Sequence, residues 1–148
     1  MSEPLILVCP SCGNRSRLPR ERLGDGPLCG TCNEPLLGPD PIELDGPRFL
    51  PYVSGSGLPV VVDFWAPWCR PCLAMAPEFA KAAAELQGEA VLAKLDVEQH
   101  QGIAEALTIS GIPTIAIFEG GREVARTSGA MPSHQLVKWI RQSLRVTT

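Results

Sequence analysis

The sequence predicts a layered α/β domain with a mixed central sheet flanked by helices, preceded by a small module poor in regular structure. Three observations carry this. From residue 60 onward, apolar runs of strand length alternate with segments of helical periodicity. Pro and Gly crowd the front, where residues 1–59 hold 18 of the 29 in the chain, so turns dominate there. Six cysteines fall as three Cys-x-x-Cys pairs, two in the front module and one in the α/β part.

The bulk numbers set the frame. At 148 residues, 45% apolar and 20% charged, the chain can bury one substantial core. A formal charge of −3 with no run of like sign argues against a nucleic-acid footprint. The N-terminus has no basic leader region, its apolar stretch at residues 5–8 is four residues long, and no window supplies the 18 apolar residues of a membrane span. The expectation is a cytoplasmic protein with no nucleic-acid or membrane partner. In that reducing compartment, cysteine pairs point to metal binding or redox chemistry rather than a disulfide framework.

The front module, residues 1–38, carries Cys9, Cys12, Cys29 and Cys32 in the pattern Cys-x2-Cys-x16-Cys-x2-Cys. That spacing suits a structural zinc site, because two short knuckles joined by a loop can place four thiolates at the corners of a tetrahedron. Gly13 and Asn33 each follow a pair directly and tolerate the positive φ that turns backbone N–H groups toward sulfur. Arg15, Arg17, Arg20 and Arg22 lie between the pairs and can offset the charge of four thiolates. So short a segment cannot fold on its own apolar core, and a metal staple meets that need. Iron in a rubredoxin-like site would use the same ligands. With all four ligands from protein, the site is closed and structural.

Residues 39–41 read as a linker into the domain spanning 39–148. Within the Pro- and Gly-rich stretch 40–57, residues 42–44 read as an edge strand. The run Val60-Val-Val-Asp-Phe-Trp is a buried parallel strand. A helix follows, with Leu73, Ala76, Phe79, Ala80, Ala83 and Leu86 on its apolar face and Gly88 to end it. Residues 90–96 form the next strand, 100–107 a short helix and 114–118 a strand. Gly120-Gly121 then makes a tight hairpin into 123–127. Ser133 is placed to cap a last helix with Leu136, Val137, Ile140 and Leu144 on one face.

The third pair, Cys69 and Cys72, therefore sits where a strand turns into a helix. Unpaired N–H groups and the helix dipole favour a thiolate at Cys69, while Cys72, one turn in, is placed to attack a mixed disulfide once Cys69 has captured a partner. Trp68 beside the pair and the flanking strand and helix argue against an inert disulfide. Asp63, a lone carboxylate in an apolar strand, is expected to hold its proton to near neutral pH, and Lys94 is an available cationic partner. Phe64 and Trp65 read as core packing. His100 and His134 lack metal spacing and read as surface residues.

Taken together, Asp-Phe-Trp-Ala-x-Trp-Cys-x-Pro-Cys, Ala76-Pro77, Ala93-Lys94-Leu95-Asp96, Gly111-Ile112-Pro113-Thr114 and Ser128-Gly129-Ala130 resemble the thioredoxin family in order and spacing, from about residue 58 to 144. With four cysteines in front, the chain is similar to the thioredoxin-2 type. The resemblance implies a thioredoxin-like fold behind a zinc-ribbon-like module, and a protein-disulfide reductase recharged by an NADPH-dependent thioredoxin reductase. It implies one structural zinc ion and no bound organic cofactor. Cys69 would be the nucleophile and Cys72 the resolving thiol, with Asp63 relaying the proton and Lys94 tuning it. Trp68, Arg70, Pro71, Ile112, a cis Pro113, Gly129 and Ala130 would form the substrate groove, and Pro77 would kink the active-site helix. The family usually has Gly where Arg70 stands; a guanidinium there favours the Cys69 thiolate and faces the mouth of the groove. An alternative reading makes the zinc module the working part, as a redox sensor or a partner-docking element.

Overall fold

The computed structural model describes residues 4–147, with side chains through residue 145. A two-stranded antiparallel ribbon comes first, β1 (Leu5–Val8) and β2 (Arg15–Leu18), followed by a 3-10 turn at Arg20–Asp25. The main sheet has five strands in the order β3 (Ile42–Leu44), β5 (Val91–Asp96), β4 (Val60–Trp65), β6 (Thr114–Glu119) and β7 (Arg122–Ser128). The first three of these run parallel, and β6 and β7 pair antiparallel. Gly120 and Gly121, both at positive φ, make the expected hairpin between β6 and β7.

Both faces of the central strands are covered, which is why β4 reads as an apolar run interrupted only by Asp63. Side chains alternate across the sheet. Val61, Ile115 and Ile117 pack against α2 (Arg70–Glu85) and α4 (Ser133–Thr147). Val60, Val62 and Phe64 pack with Phe49, Tyr52 and Val53 of α1 (Gly46–Gly55), and α3 (Gln101–Ala106) borders the same side through Ile103.

Helix α1 arises where the sequence reads as Pro- and Gly-rich. Asp45 caps it by accepting the Arg48 N–H at 2.8 Å, Pro47 occupies the first turn where no N–H is needed, and Pro51 lies inside. Helix α2 also differs from its expected face. Cys72, Met75, Phe79, Ala82, Ala83 and Leu86 are buried, whereas Leu73 points outward. The helix runs on through Pro77. Ser133 is the first residue of α4 rather than its cap, and the Glu78 carboxylate of α2 accepts its N–H at 2.9 Å, so one helix caps the next.

The front module is not a separate globule. Leu5, Leu7, Val8, Leu18 and Leu36 belong to the same apolar cluster as Phe49, Tyr52 and Phe64. The Gly57 N–H donates to the Ile6 carbonyl at 2.6 Å, and Arg48 Nη1 donates to the Pro10 carbonyl at 2.9 Å. A Cβ on Gly57 would stand 2.7 Å from the Ile6 oxygen, and one on Gly55 would meet Val8 Cγ2 at 2.8 Å. Lacking a Cβ, Gly55 and Gly57 let β1 lie directly on the domain.

Candidate active site and metal centre

Strand β4 ends at Trp65 and the chain turns through Ala66-Pro67-Trp68 into α2, whose N-cap is Cys69. Its sulfur accepts the Cys72 N–H at 3.3 Å, a bond that suits a thiolate at the positive end of the helix. Cys69 and Cys72 form a disulfide with their Cα atoms 5.2 Å apart. Arg70 and Pro71 take the first two helical positions, where Pro lacks no bond the helix would have made. Both cysteines are buried, while Trp68 next to them is 65% exposed.

The loop before β6 completes the wall. The Ile112–Pro113 peptide is cis, and the Ile112 carbonyl lies 3.8 Å from Cys69 Sγ. Pro113 accepts the Gly129 N–H at 2.9 Å, and Thr114 Oγ1 donates to the Gly111 carbonyl and meets Ser128 Oγ. Ala130 is exposed beside Gly129, which holds φ at +98°. A groove of about 490 Å³ runs from Trp68 past Val97, Ala104 and Ile109 to Ile112. Val97 and Ile109 went unremarked in the sequence because only the fold brings α3 and its flanks beside the pair.

Asp63 is fully buried and neither carboxylate oxygen has a hydrogen-bond partner. Burial pushes it up to about 7, against a smaller opposing pull from the Lys94 charge. Lys94 pairs with Asp63 in strand register but makes no ion pair with it. Its Nζ lies 4.3 Å over the Trp65 ring. Trp65 is accordingly only half-buried and packs with Cys69, Cys72 and Ile112, a correction to the core reading that holds for Phe64. His100 has a structural role, accepting the Gly46 N–H at 3.2 Å, and His134 is exposed.

At the front, the sulfurs of Cys9, Cys12, Cys29 and Cys32 all lie within 4.8 Å of one another, with Cys9 to Cys32 at 3.5 Å and Cys12 to Cys29 at 3.6 Å. Thiolates tetrahedral about a metal at ~2.3 Å stand about 3.8 Å apart, so the four residues fit such an ion. Gly13 and Asn33 hold φ at +81° and +67°. Ser11 and Cys12 N–H groups point at Cys9 Sγ, and the Thr31 N–H points at Cys29 Sγ, all at 3.4 Å. The N–H groups of Cys32 and Thr31 pull Cys29 down to about 6. The Glu34 N–H acts on Cys32 in the same sense, but lost hydration and the neighbouring thiols together push it up to about 12. Four sulfurs this close cannot all ionise without a cation among them.

A comparison with known families matches residues 41–142 to the family described as Thioredoxin. The chain belongs to the thioredoxin family. Residues 8–34 match a second description, Thioredoxin 2, N-terminal, the zinc-ribbon family that covers all four front cysteines. Thioredoxin C-3 of Corynebacterium nephridii is 42% identical over 141 residues, covering 95% of this chain and 97% of its own. A thioredoxin of Mycoplasma pneumoniae is 41% identical over 100 residues, covering 68% and 97%. The bifunctional thioredoxin reductase/thioredoxin of Mycobacterium leprae is 38% identical over 97 residues, covering 66% of this chain and 21% of its own. Among solved structures, chloroplastic thioredoxin z superposes with a TM-score of 0.65 at 29% identity, covering 72% of this chain and 96% of that one. Membership in this family makes the chain a thiol–disulfide oxidoreductase, with Cys69 and Cys72 as its disulfide-forming pair. Among the described residues, no helix is long and apolar enough to cross a membrane.

Proposed function

We propose that the chain reduces disulfides of other proteins, with Cys69 as nucleophile and Cys72 as resolving thiol. The observation that carries this is Cys69 at the N-cap of α2, its sulfur beside the Ile112 carbonyl and an exposed Trp68. In the reduced form the Cys69 thiolate attacks one sulfur of the partner disulfide. A mixed disulfide forms and the other partner sulfur leaves as a thiolate that takes up a proton. The Cys72 thiol gives its proton to Asp63, which holds it near neutral pH, and the Cys72 sulfur then attacks Cys69. The second partner sulfur leaves as a thiolate that takes up a proton from water; the partner has gained two electrons and Cys69–Cys72 has lost them. Lys94 tempers the proton affinity of Asp63 through its charge.

The groove supports capture of an extended segment. The Ile112 N–H donates to no backbone group among the described residues, so Ile112 offers its edge for strand pairing, with Pro113, Gly129, Ala130, Trp68, Arg70 and Pro71 around it. Residues 39–148 carry this chemistry and residues 1–38 hold one zinc ion through Cys9, Cys12, Cys29 and Cys32. Zinc bound there would offset half the charge of the four crowded thiolates and cross-link the module. An NADPH-dependent thioredoxin reductase in the cytoplasm recharges the pair, a reading supported by the relative in which reductase and thioredoxin are one polypeptide. The sensor or docking alternative gains nothing from the fold, because the module shares its core with the domain.

Insulin disulfide reduction tests the proposal. With dithiothreitol or a reductase as electron source, the chain should accelerate precipitation of the insulin B chain and Cys69→Ser should abolish that acceleration. Activity retained in Cys69→Ser would overturn the assignment.

A further inference from the structure

Three uncharged segments enclose the Cys69–Cys72 pair: residues 66–77, 109–114 and 128–132, held together by Cys69 Sγ against the Ile112 carbonyl and by the Gly129 N–H on Pro113. Uncharged is true of all their residues but one. Arg70 is the only charged side chain in the three segments. It is exposed and takes no hydrogen bond or ion pair among the described residues. Glu105 shares the lining of the groove with Trp68, and Lys94 and Asp96 line the recess with Pro67.

No carboxylate among the described residues pairs with the Arg70 cation. It stands at the first position of α2, where the helix dipole disfavours positive charge. On either side are large exposed apolar groups, Trp68 at 65% and Leu73 at 49% exposure. A guanidinium with its donors free, set in an apolar surround, presents a planar fork that fits a carboxylate. Its attraction for the Cys69 thiolate acts alike on every partner. A carboxylate brought in by the partner would make it discriminate.

We propose that Arg70 is a specificity-determining residue that selects disulfides whose attacked cysteine has an Asp or Glu within two residues, with an apolar neighbour resting on Trp68 or Leu73. The proposal rests on the reading that Cys69 attacks protein disulfides and names the class of partner preferred. The reaction is unchanged: Cys69 bonds to the attacked sulfur, the partner's other sulfur leaves as thiolate, and Cys72 completes the two-electron exchange. The carboxylate adds only binding, and because it is partly exposed, that binding weakens with salt.

The test uses the full-length reduced chain and three disulfide-bonded peptides identical except for Asp, Asn or Lys next to the attacked cysteine. Single-turnover kcat/KM should favour Asp over Asn by roughly threefold to tenfold at low salt and less at high salt. Arg70→Gly should bring the ratio close to one, Arg70→Lys should leave a reduced preference, and Arg70→Glu should reverse it. A ratio near one in the wild type, or one that survives Arg70→Gly, overturns the proposal. If Arg70→Gly slows all three peptides equally and leaves their ratio intact, the cation acts on the thiolate alone and the proposal falls. Failure of the wild type to reduce any of the three would instead strike the disulfide-reductase reading, and this proposal with it.

Discussion

Asp63 and Lys94 stand side by side in the register of two parallel strands, yet no salt bridge joins them. The amine rests on the Trp65 ring, and both Asp63 oxygens are buried without a partner. A carboxyl in that position is most comfortable protonated, which is the state a proton acceptor needs to reach and leave near neutral pH.

Stability should record this. Burial raises Asp63 from 3.8 to about 7, so the folded chain binds its proton more tightly than the unfolded chain. Between those values the folded state holds more protons, and the free energy of unfolding therefore falls as pH rises from about 4 to 7, then levels off. Asp63→Asn removes the penalty and should exceed the wild type at pH 8 by roughly 2–4 kcal/mol, with the gap closing near pH 4. Urea titrations of both proteins across this range check it. A variant less stable at pH 8 would contradict the burial argument.

The seam between ribbon and domain should be sensitive to a single methyl group. Gly57→Ala places a Cβ against the Ile6 carbonyl and strains the hydrogen bond between them. The expected cost is about 1–3 kcal/mol in denaturant unfolding. Gly24→Ala, where nothing lies within 4 Å, serves as the control and should be near neutral.

Metal removal should be felt by the whole chain, because Leu5, Leu7 and Val8 share a core with Phe49 and Tyr52. Cys9→Ser should lose bound metal and lower the main thermal transition by roughly 4–8 °C, corresponding to about 2 kcal/mol. Metal content by atomic spectroscopy and a melting curve followed at β-sheet wavelengths check both halves. An unchanged main transition would mean the ribbon folds on its own account.

Arg70 should also shift the redox couple. A cation beside Cys69 favours its thiolate and hence the reduced form, which makes the couple more oxidising. Arg70→Gly should move the potential to more negative values by at most ~30 mV, the equivalent of one pKa unit, since solvent screens an exposed charge. Equilibration against glutathione measures it. A shift in the opposite direction would sink the electrostatic argument.

The parts of the fold that announce themselves in the sequence are those fixed by local chemistry. The Val60–Trp65 strand, the cysteine at the head of α2, the Gly120-Gly121 hairpin and the positive-φ residues Gly13 and Asn33 follow from patterning and backbone preference. The parts that do not are decided by partners far along the chain. Helix α1 hides behind Pro47 and Pro51, although Asp45 followed by Gly-Pro is a start signal for a helix. Gly55 and Gly57, in the Pro- and Gly-rich stretch, give no sign in the sequence that β1 lies on them. Leu73 faces outward because α2 turns Cys72 and Met75 to the core. Trp65 leaves the core because it sits at the end of β4, beside the cysteines and under Lys94.

The central claim is that Cys69, and no other of the six cysteines, makes the covalent bond to the partner. Cys72→Ser should arrest the reaction at the mixed disulfide. Mass spectrometry of the trapped adduct, after proteolysis without reductant, reads the attachment site directly. A partner peptide bonded to Cys69 is the predicted result, and one bonded to Cys9, Cys12, Cys29 or Cys32, or no adduct at all, would contradict the account.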